Sequence, residues 1–188
     1  SLHFGFHFFV NNRDIYTDKL YFKPVSTGSN STAALTVTGK DSLQFAMRLY
    51  VDGSDTALNT AKYIEFVYTL KGDEYMMGFR MNFSGMTNVF DPGTKFLVLN
   101  WESNLNRQEK SIKMERMNST IYYKFFEDKV DYLTETKDEV KDLKNERVQW
   151  ISFKQQFFAA TIIANNFFTD PRVKTSTLPR NDRYLRSM

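Results

Sequence analysis

The sequence predicts a mainly β protein of antiparallel strands, a sandwich or a barrel, with one or two short helices. Three observations carry this. Apolar and polar residues alternate at period two, as in Leu43, Phe45, Met47, Leu49 and Val51 against Gln44, Ala46 and Arg48. Turn chemistry recurs at roughly ten-residue spacing. No βαβ pattern and no fixed-period repeat occurs. Composition agrees: the 188 residues are 41% hydrophobic and 16% aromatic, with 18 Phe and 10 Tyr but only 8 Gly and 4 Pro. Disordered and collagen-like chains are excluded. A chain this long buries roughly 70% of its unfolded surface and suits one domain over residues 1–188.

The first strand is expected in the Phe-rich run Leu2–Val10, with Arg13-Asp14 in a turn after it. Thr27–Ser31 is a loop, and Ala33–Thr38 reads as a strand. The alternating stretch 42–52 ends at Asp52-Gly53, where Gly supplies positive φ and Asp caps its own backbone. Ile64, Phe66, Tyr68 and Leu70 share a face before the turn Lys71-Gly72-Asp73, with Glu74 beside it. Phe79, Met81 and Phe83 oppose Arg80 and Asn82, and Asp91-Pro92-Gly93 turns the chain into Phe96–Trp101. That last run is apolar on both faces and suits a central strand.

Leu105–Asn118 is polar and rich in helix formers, so it reads as a short helix or an excursion from the sheet. Thr120–Phe126 is a strand. Residues 135–147 carry nine charges in thirteen positions and read as a solvated helix or loop. Trp150–Ser152 and Ala159–Ala164 read as buried strands with a helical turn, Phe153–Phe158, between them. Asn165–Asp170 reads as a loop and Arg172–Leu178 as one more strand.

The chemistry that these residues permit is narrow. There are no cysteines, which removes disulfides, thiol nucleophiles and thiolate metal sites. His3 and His7 are the two histidines, and a strand sets them roughly 13 Å apart, too far for one metal to bridge. No nucleophile elbow and no Gly-rich phosphate loop is present. Sequons stand at Asn30, Asn82 and Asn118, with Asn82 inside an expected strand. No catalytic, metal or cofactor residue is therefore assigned. Aromatic doublets recur, and the stretch around Tyr122 is the best candidate for a ligand groove. The longest apolar-leaning run, Phe157–Ala164, is eight residues, against about 20 for a membrane span.

The formal net charge of +3 is unevenly placed. Residues 1–169 hold 20 basic and 20 acidic side chains. The excess lies in Arg172, Lys174, Arg180, Arg183 and Arg186 against Asp170 and Asp182. A neutral body argues against a nucleic-acid partner.

The segment Val148-Gln-Trp-Ile-Ser-Phe-Lys-Gln-Gln-Phe-Phe-Ala-Ala-Thr-Ile-Ile-Ala164 resembles the Trp-Ile/Val…Gln-x-(Phe/Tyr)-Phe-(Ala/Ser)-(Ala/Ser) stretch of one family. That stretch lies near the end of the large periplasmic domain in the Gram-negative branch of the Oxa/YidC membrane insertases. Val67-Tyr-Thr-Leu-Lys-Gly-Asp-Glu-Tyr75, Ile121-Tyr-Tyr and Val130-Asp-Tyr-Leu are similar to other parts of that domain, in the same order.

The resemblance implies a β-supersandwich with a galactose-mutarotase-like outline, a single periplasmic domain trimmed at both ends. A strand cut at such an edge is free to pair with a neighbour. The domain would stand outside the cytoplasmic membrane, between the first two transmembrane helices. The family inserts and folds inner-membrane proteins, alone or with the Sec translocon. Its functional groove arginine belongs to transmembrane helices that this sequence lacks. The domain itself would be a non-catalytic accessory without cofactors, its partners Sec accessory proteins and membrane-protein clients. Its basic C-terminal end would face the inner-membrane surface, where Arg180, Arg183 and Arg186 meet anionic headgroups at about 1 kcal/mol each. Two alternatives remain. A mutarotase-like epimerase would need His3 or His7 beside a carboxylate. An envelope carbohydrate-binding module would need a planar row of exposed aromatics around Tyr122 and Tyr123.

Overall fold

Period-two patterning becomes strand almost wherever turn residues bound it. The structure, a computed structural model, describes residues 2–10, 13–25, 35–51, 53–54, 57–58, 60–87, 90, 93–179 and 183–188. Two compact units divide the chain: Phe6–Val98, and Ser1–Gly5 together with Leu99–Met188.

In the unit Phe6–Val98, the latter half of β1 (Leu2–Val10) pairs antiparallel with β2 (Arg13–Tyr16), and a 3-10 turn, Thr17–Lys19, follows. β3 (Lys23–Val25), β4 (Ser42–Tyr50), β7 (Tyr63–Lys71) and β8 (Gly78–Ser84) form a sheet in the order β3-β4-β7-β8. β5 (Gly53–Ser54) and β6 (Ala57–Leu58) make a minimal hairpin between β4 and β7. Phe8, Ile64, Phe66 and Met86 are buried together. Ring contacts knit this core: Phe22 stacks on Phe66 with centroids 4.4 Å apart, and Phe79 meets Phe66 edge-on at 5.3 Å.

The register of this sheet sets Arg48, Glu65 and Asn82 in one row across three strands. Arg48 Nε donates to Glu65 Oε1 at 2.8 Å, and Asn82 Nδ2 donates to Oε2 at 2.9 Å. Gly72 closes the β7 end: its N–H donates to the Asp41 carbonyl, and an added Cβ would lie 2.4 Å from the Thr38 carbonyl carbon.

The other unit is a two-sheet sandwich. β9 (Val98–Asn106) leads to α1 (Ile112–Met117), whose N-cap Ser111 accepts from the Met114 N–H. Then follow β10 (Thr120–Phe125), β11 (Val130–Tyr132), β12 (Glu139–Asp142), β13 (Arg147–Lys154), β14 (Ala159–Thr169), β15 (Arg172–Thr177) and β16 (Arg183–Ser187). One sheet has the order β11-β10-β13-β14; in the other, β12-β15-β16-β9 continues to the first residues of β1. Ile121, Tyr123 and Phe153 from the first sheet bury against Val173 from the second, with Leu133, Leu143 and Val148. Trp101 on β9 stacks on Phe153 with ring centroids 3.7 Å apart and planes 11° from parallel. Every registered strand pair is antiparallel, and no sheet among the described residues closes into a barrel. The fold is mainly β, sandwich-like, with one short α-helix.

Several local readings need correction. Residues 35–38 are not a strand; 33 and 34 lie outside the described residues. Arg13-Asp14 belongs to β2 rather than to a turn. Phe96 precedes its strand and is exposed; β9 instead runs on to Asn106. Phe153–Phe158 makes no helical turn. Phe153 and Lys154 finish β13, and the next residues bend back into β14, which continues to Thr169 through the expected loop.

The charged segment holds β12 and a core residue. Leu143 is buried, while Glu139 Oε2 accepts from the Thr134 N–H and Lys141 Nζ donates to Asp131 Oδ2. Paired charges point inward here and Val140 points out, which inverts the usual alternation.

Candidate functional site

The sheet β11-β10-β13-β14 has one face in the core and one facing out. The doublet Tyr122-Tyr123 divides between them, as adjacent strand residues must. Tyr123 is fully buried; its hydroxyl donates to Asp131 Oδ2 at 3.0 Å, and Lys141 Nζ reaches the same oxygen at 2.7 Å. Burial foremost raises the Tyr123 phenol above its usual range, and the Lys141 hydrogen bond holds the Asp131 carboxyl below its own. This trio braces the core and offers nothing to a ligand. A carbohydrate-type row through both tyrosines is therefore absent.

Tyr122 stands on the outer face. Register places Tyr132, Tyr122, Ser152 and Thr161 in one cross-strand row, and Lys124, Trp150 and Ile163 in the next. Tyr132 stacks on Tyr122 with centroids 5.0 Å apart. Burial, then the nearby Glu135 charge and Tyr132, push the Tyr122 phenol up. Ser152 Oγ and Thr161 Oγ1 bond each other at 2.8 Å, and Lys124 Nζ donates to Gln149 Oε1 at 2.8 Å.

Beyond these rows, the β13–β14 bend lifts Phe157 and Phe158 into solvent, 67% and 63% exposed. Together they border an open concavity of about 520 Å³ with Tyr122, Trp150, Lys154 and Thr161. Lys154 is the one charged side chain in its lining. Its ammonium donates to the Asn118 carbonyl at 2.9 Å and lies 5.9 Å from the Tyr122 ring. Rings, two hydroxyls bonded to each other and one ammonium suit largely apolar contact with a partner. Tyr132 and Trp150 are the members that strand-by-strand reading missed; only cross-strand register brings them beside Tyr122.

Of the remaining candidates, one histidine is brought beside a carboxylate and the others are dispersed. His7 Nε2 lies 2.5 Å from Asp14 Oδ1 and its ring stacks on Tyr16 at 4.4 Å. It borders a second open concavity lined by Phe8, Phe9, Phe96 and Val98, where Thr94 and Lys95 add the other polar side chains. His3 is exposed on β1. Among the described residues no three His, Cys, Asp or Glu side chains are grouped to hold a metal. The sequon Asn82 spends its amide on Glu65 and Asn118 caps α1, donating to the Met114 carbonyl at 2.8 Å. Asn30 lies outside the described residues. Of the basic C-terminal residues, Arg186 is held by Glu102 Oε1 at 3.2 Å and Asn104 Oδ1 at 3.1 Å, and Arg172 faces Asp142 at 3.3 Å. Arg180 is outside the described residues, and only the backbone of Arg183 is within them. No helix among the described residues is long and apolar enough to cross a membrane.

An antiparallel sandwich presenting an aromatic outer face defines the class of β-sandwich domains. Within that class, the family described as the YidC periplasmic domain matches residues 56–188, and the chain belongs to this family. Its curated relatives carry the name membrane protein insertase YidC. The protein of Parabacteroides distasonis is 33% identical over 92% of this chain and 24% of its own length. Those of Phocaeicola vulgatus and Porphyromonas gingivalis W83 are 31% and 30% identical over 97% and 95% of the chain, and 26% and 25% of their own lengths. The chain thus spans about a quarter of the length of these relatives. No solved structure matches it.

Proposed function

We propose that this chain is the periplasmic accessory domain of an inner-membrane protein insertase. It helps membrane-protein clients insert and fold, alone or beside the Sec translocon, and does so as a non-catalytic scaffold. The observation that carries this reading is the family match over residues 56–188, extended to 92–97% of the chain by relatives named as insertases. The geometry supports it: the developed surface is a sheet face of rings around an open concavity, suited to contact with other polypeptides.

The test is made in intact cells on the full-length protein. A tag in this domain should fractionate with the inner membrane and become protease-sensitive in spheroplasts. A photo-crosslinker at position 157 should capture newly made inner-membrane proteins, and depletion should lower their insertion. Soluble fractionation, or normal insertion after depletion, overturns the reading. Crosslinks from the same position to Sec accessory subunits would establish that partnership.

A further inference from the structure

β14 ends its sheet, and its outer edge has an uncommon composition. From Phe157 to Thr169 no residue is charged and none is proline. Exposed edge strands are normally blunted by Lys, Pro, short length or cover, because their free backbone groups template pairing. β14 runs for eleven residues with no Lys or Pro, and a register shift past Ile163 is the device that it does carry.

The bonding capacity of this edge can be assigned atom by atom. The Gln155 N–H donates to the Phe158 carbonyl at 2.7 Å, so positions 155 and 158 form a hydrogen-bonded pair. Antiparallel ladders alternate such pairs with non-bonded ones. The register then turns the backbone groups of Ala160 and Ile162 toward β13. The N–H and C=O groups of Ala159, Thr161 and Ile163 face away, and no backbone partner is recorded for them among the described residues. Their side chains lie on the same outer face as Tyr122 and Trp150, and all three residues are exposed. Past Ile163 the register shifts, so the regular edge is short.

We infer that the free edge of β14 at Ala159, Thr161 and Ile163 takes an extended polypeptide segment by strand addition, one that is uncharged and apolar through its paired residues. Three facing residues supply up to about six main-chain bonds. The new strand's inward side chains would extend the Ile163 and Trp150 row, and Phe157 and Phe158 would cover its end. Lys154 adds no charge rule: its ammonium leans away from this edge to the Asn118 carbonyl and the Tyr122 ring. The edge itself is uncharged, which suits an uncharged segment. The hydrogen-bonding groups along the edge itself belong to the backbone. That the segment comes from a membrane-protein client rests on the insertase reading; the edge itself does not.

The probe is a blocked nine-residue peptide alternating Val and Thr, added to the purified protein. Amide exchange followed by NMR should slow at least about tenfold at Ala159, Thr161 and Ile163, and stay unchanged at Ala160 and Ile162, already paired with β13. Methylating alternate backbone nitrogens of the peptide should weaken binding at least about tenfold, since several main-chain bonds are lost while apolar surface is kept. Thr161→Pro removes one outward donor without touching the ladder and should abolish binding, its fold checked by circular dichroism.

Equal binding of the methylated peptide, uniform protection, or protection by maltoheptaose instead overturns the inference. So does the same alternate protection in peptide-free protein that sediments as a dimer, which would make the occupant a second copy. These outcomes are read in vitro, so they stand or fall apart from the insertion assay above.

Discussion

Glu65 shows how a single charged residue becomes tolerable inside a sheet. Its two carboxylate oxygens each hold one partner from a neighbouring strand, and the Asn82 hydrogen bond foremost keeps its carboxyl below the ordinary range. Asn82→Asp sets two carboxylates together and should destabilise the protein by about 1–3 kcal/mol at neutral pH, measured by urea unfolding. Asp131 is likewise held low, first by Lys141, and Lys141 is held high by Asp131. A depressed carboxylate adds stability that is full above its unfolded value near 4 and lost as pH falls through the folded one. A raised lysine adds stability that is full below about 10.5 and lost as pH rises through its folded value. The melting temperature should therefore fall at both limbs, and Asp131→Asn should flatten both. His7→Ala removes the pair with Asp14 and the ring stacked on Tyr16, and should cost about 1–2 kcal/mol. Phe153→Ala, by contrast, empties the space under Trp101 and should cost about 3–5 kcal/mol in the same assay.

At the scale of elements, alternation was legible where the buried side was apolar. β4, β7, β8, β10 and β15 follow from their residues within a position or two. β12 was hidden because its inward side chains are Glu139 and Lys141, whose partners Thr134 and Asp131 come from elsewhere in the chain. The β13–β14 hairpin was misjudged because Phe153-Lys-Gln-Gln-Phe-Phe158 mixes spacings. Stacking on Trp101, a long-range contact, decides that Phe153 is strand. The groove was half legible: Tyr122 could be named, but its neighbours depend on register. Turn glycines carry their own test. Gly85 has φ +63°, and a Cβ there would lie 2.6 Å from the Ala61 carbonyl oxygen. Gly85→Ala should destabilise by more than the ~1 kcal/mol typical of an αL position, since backbone must also shift. A thermal melt against wild type measures it.

For the whole molecule, the opening strand has a further consequence. Leu2–Gly5 belongs with residues from Leu99 onward, while Phe6–Val98 is a contiguous unit of its own. The sandwich therefore cannot be completed until the two ends of a long intervening segment meet. Closing a loop of that length as free chain costs about 4 kcal/mol beyond a constant term. If the intervening unit folds first, it gathers those ends and much of that cost is already met. Pulse-labelled amide exchange during refolding should then show β7 protected before β13, although β13 lies in the sandwich with the more deeply buried core. The order of assembly would follow from nesting one piece of chain inside another, rather than from which core is the stronger.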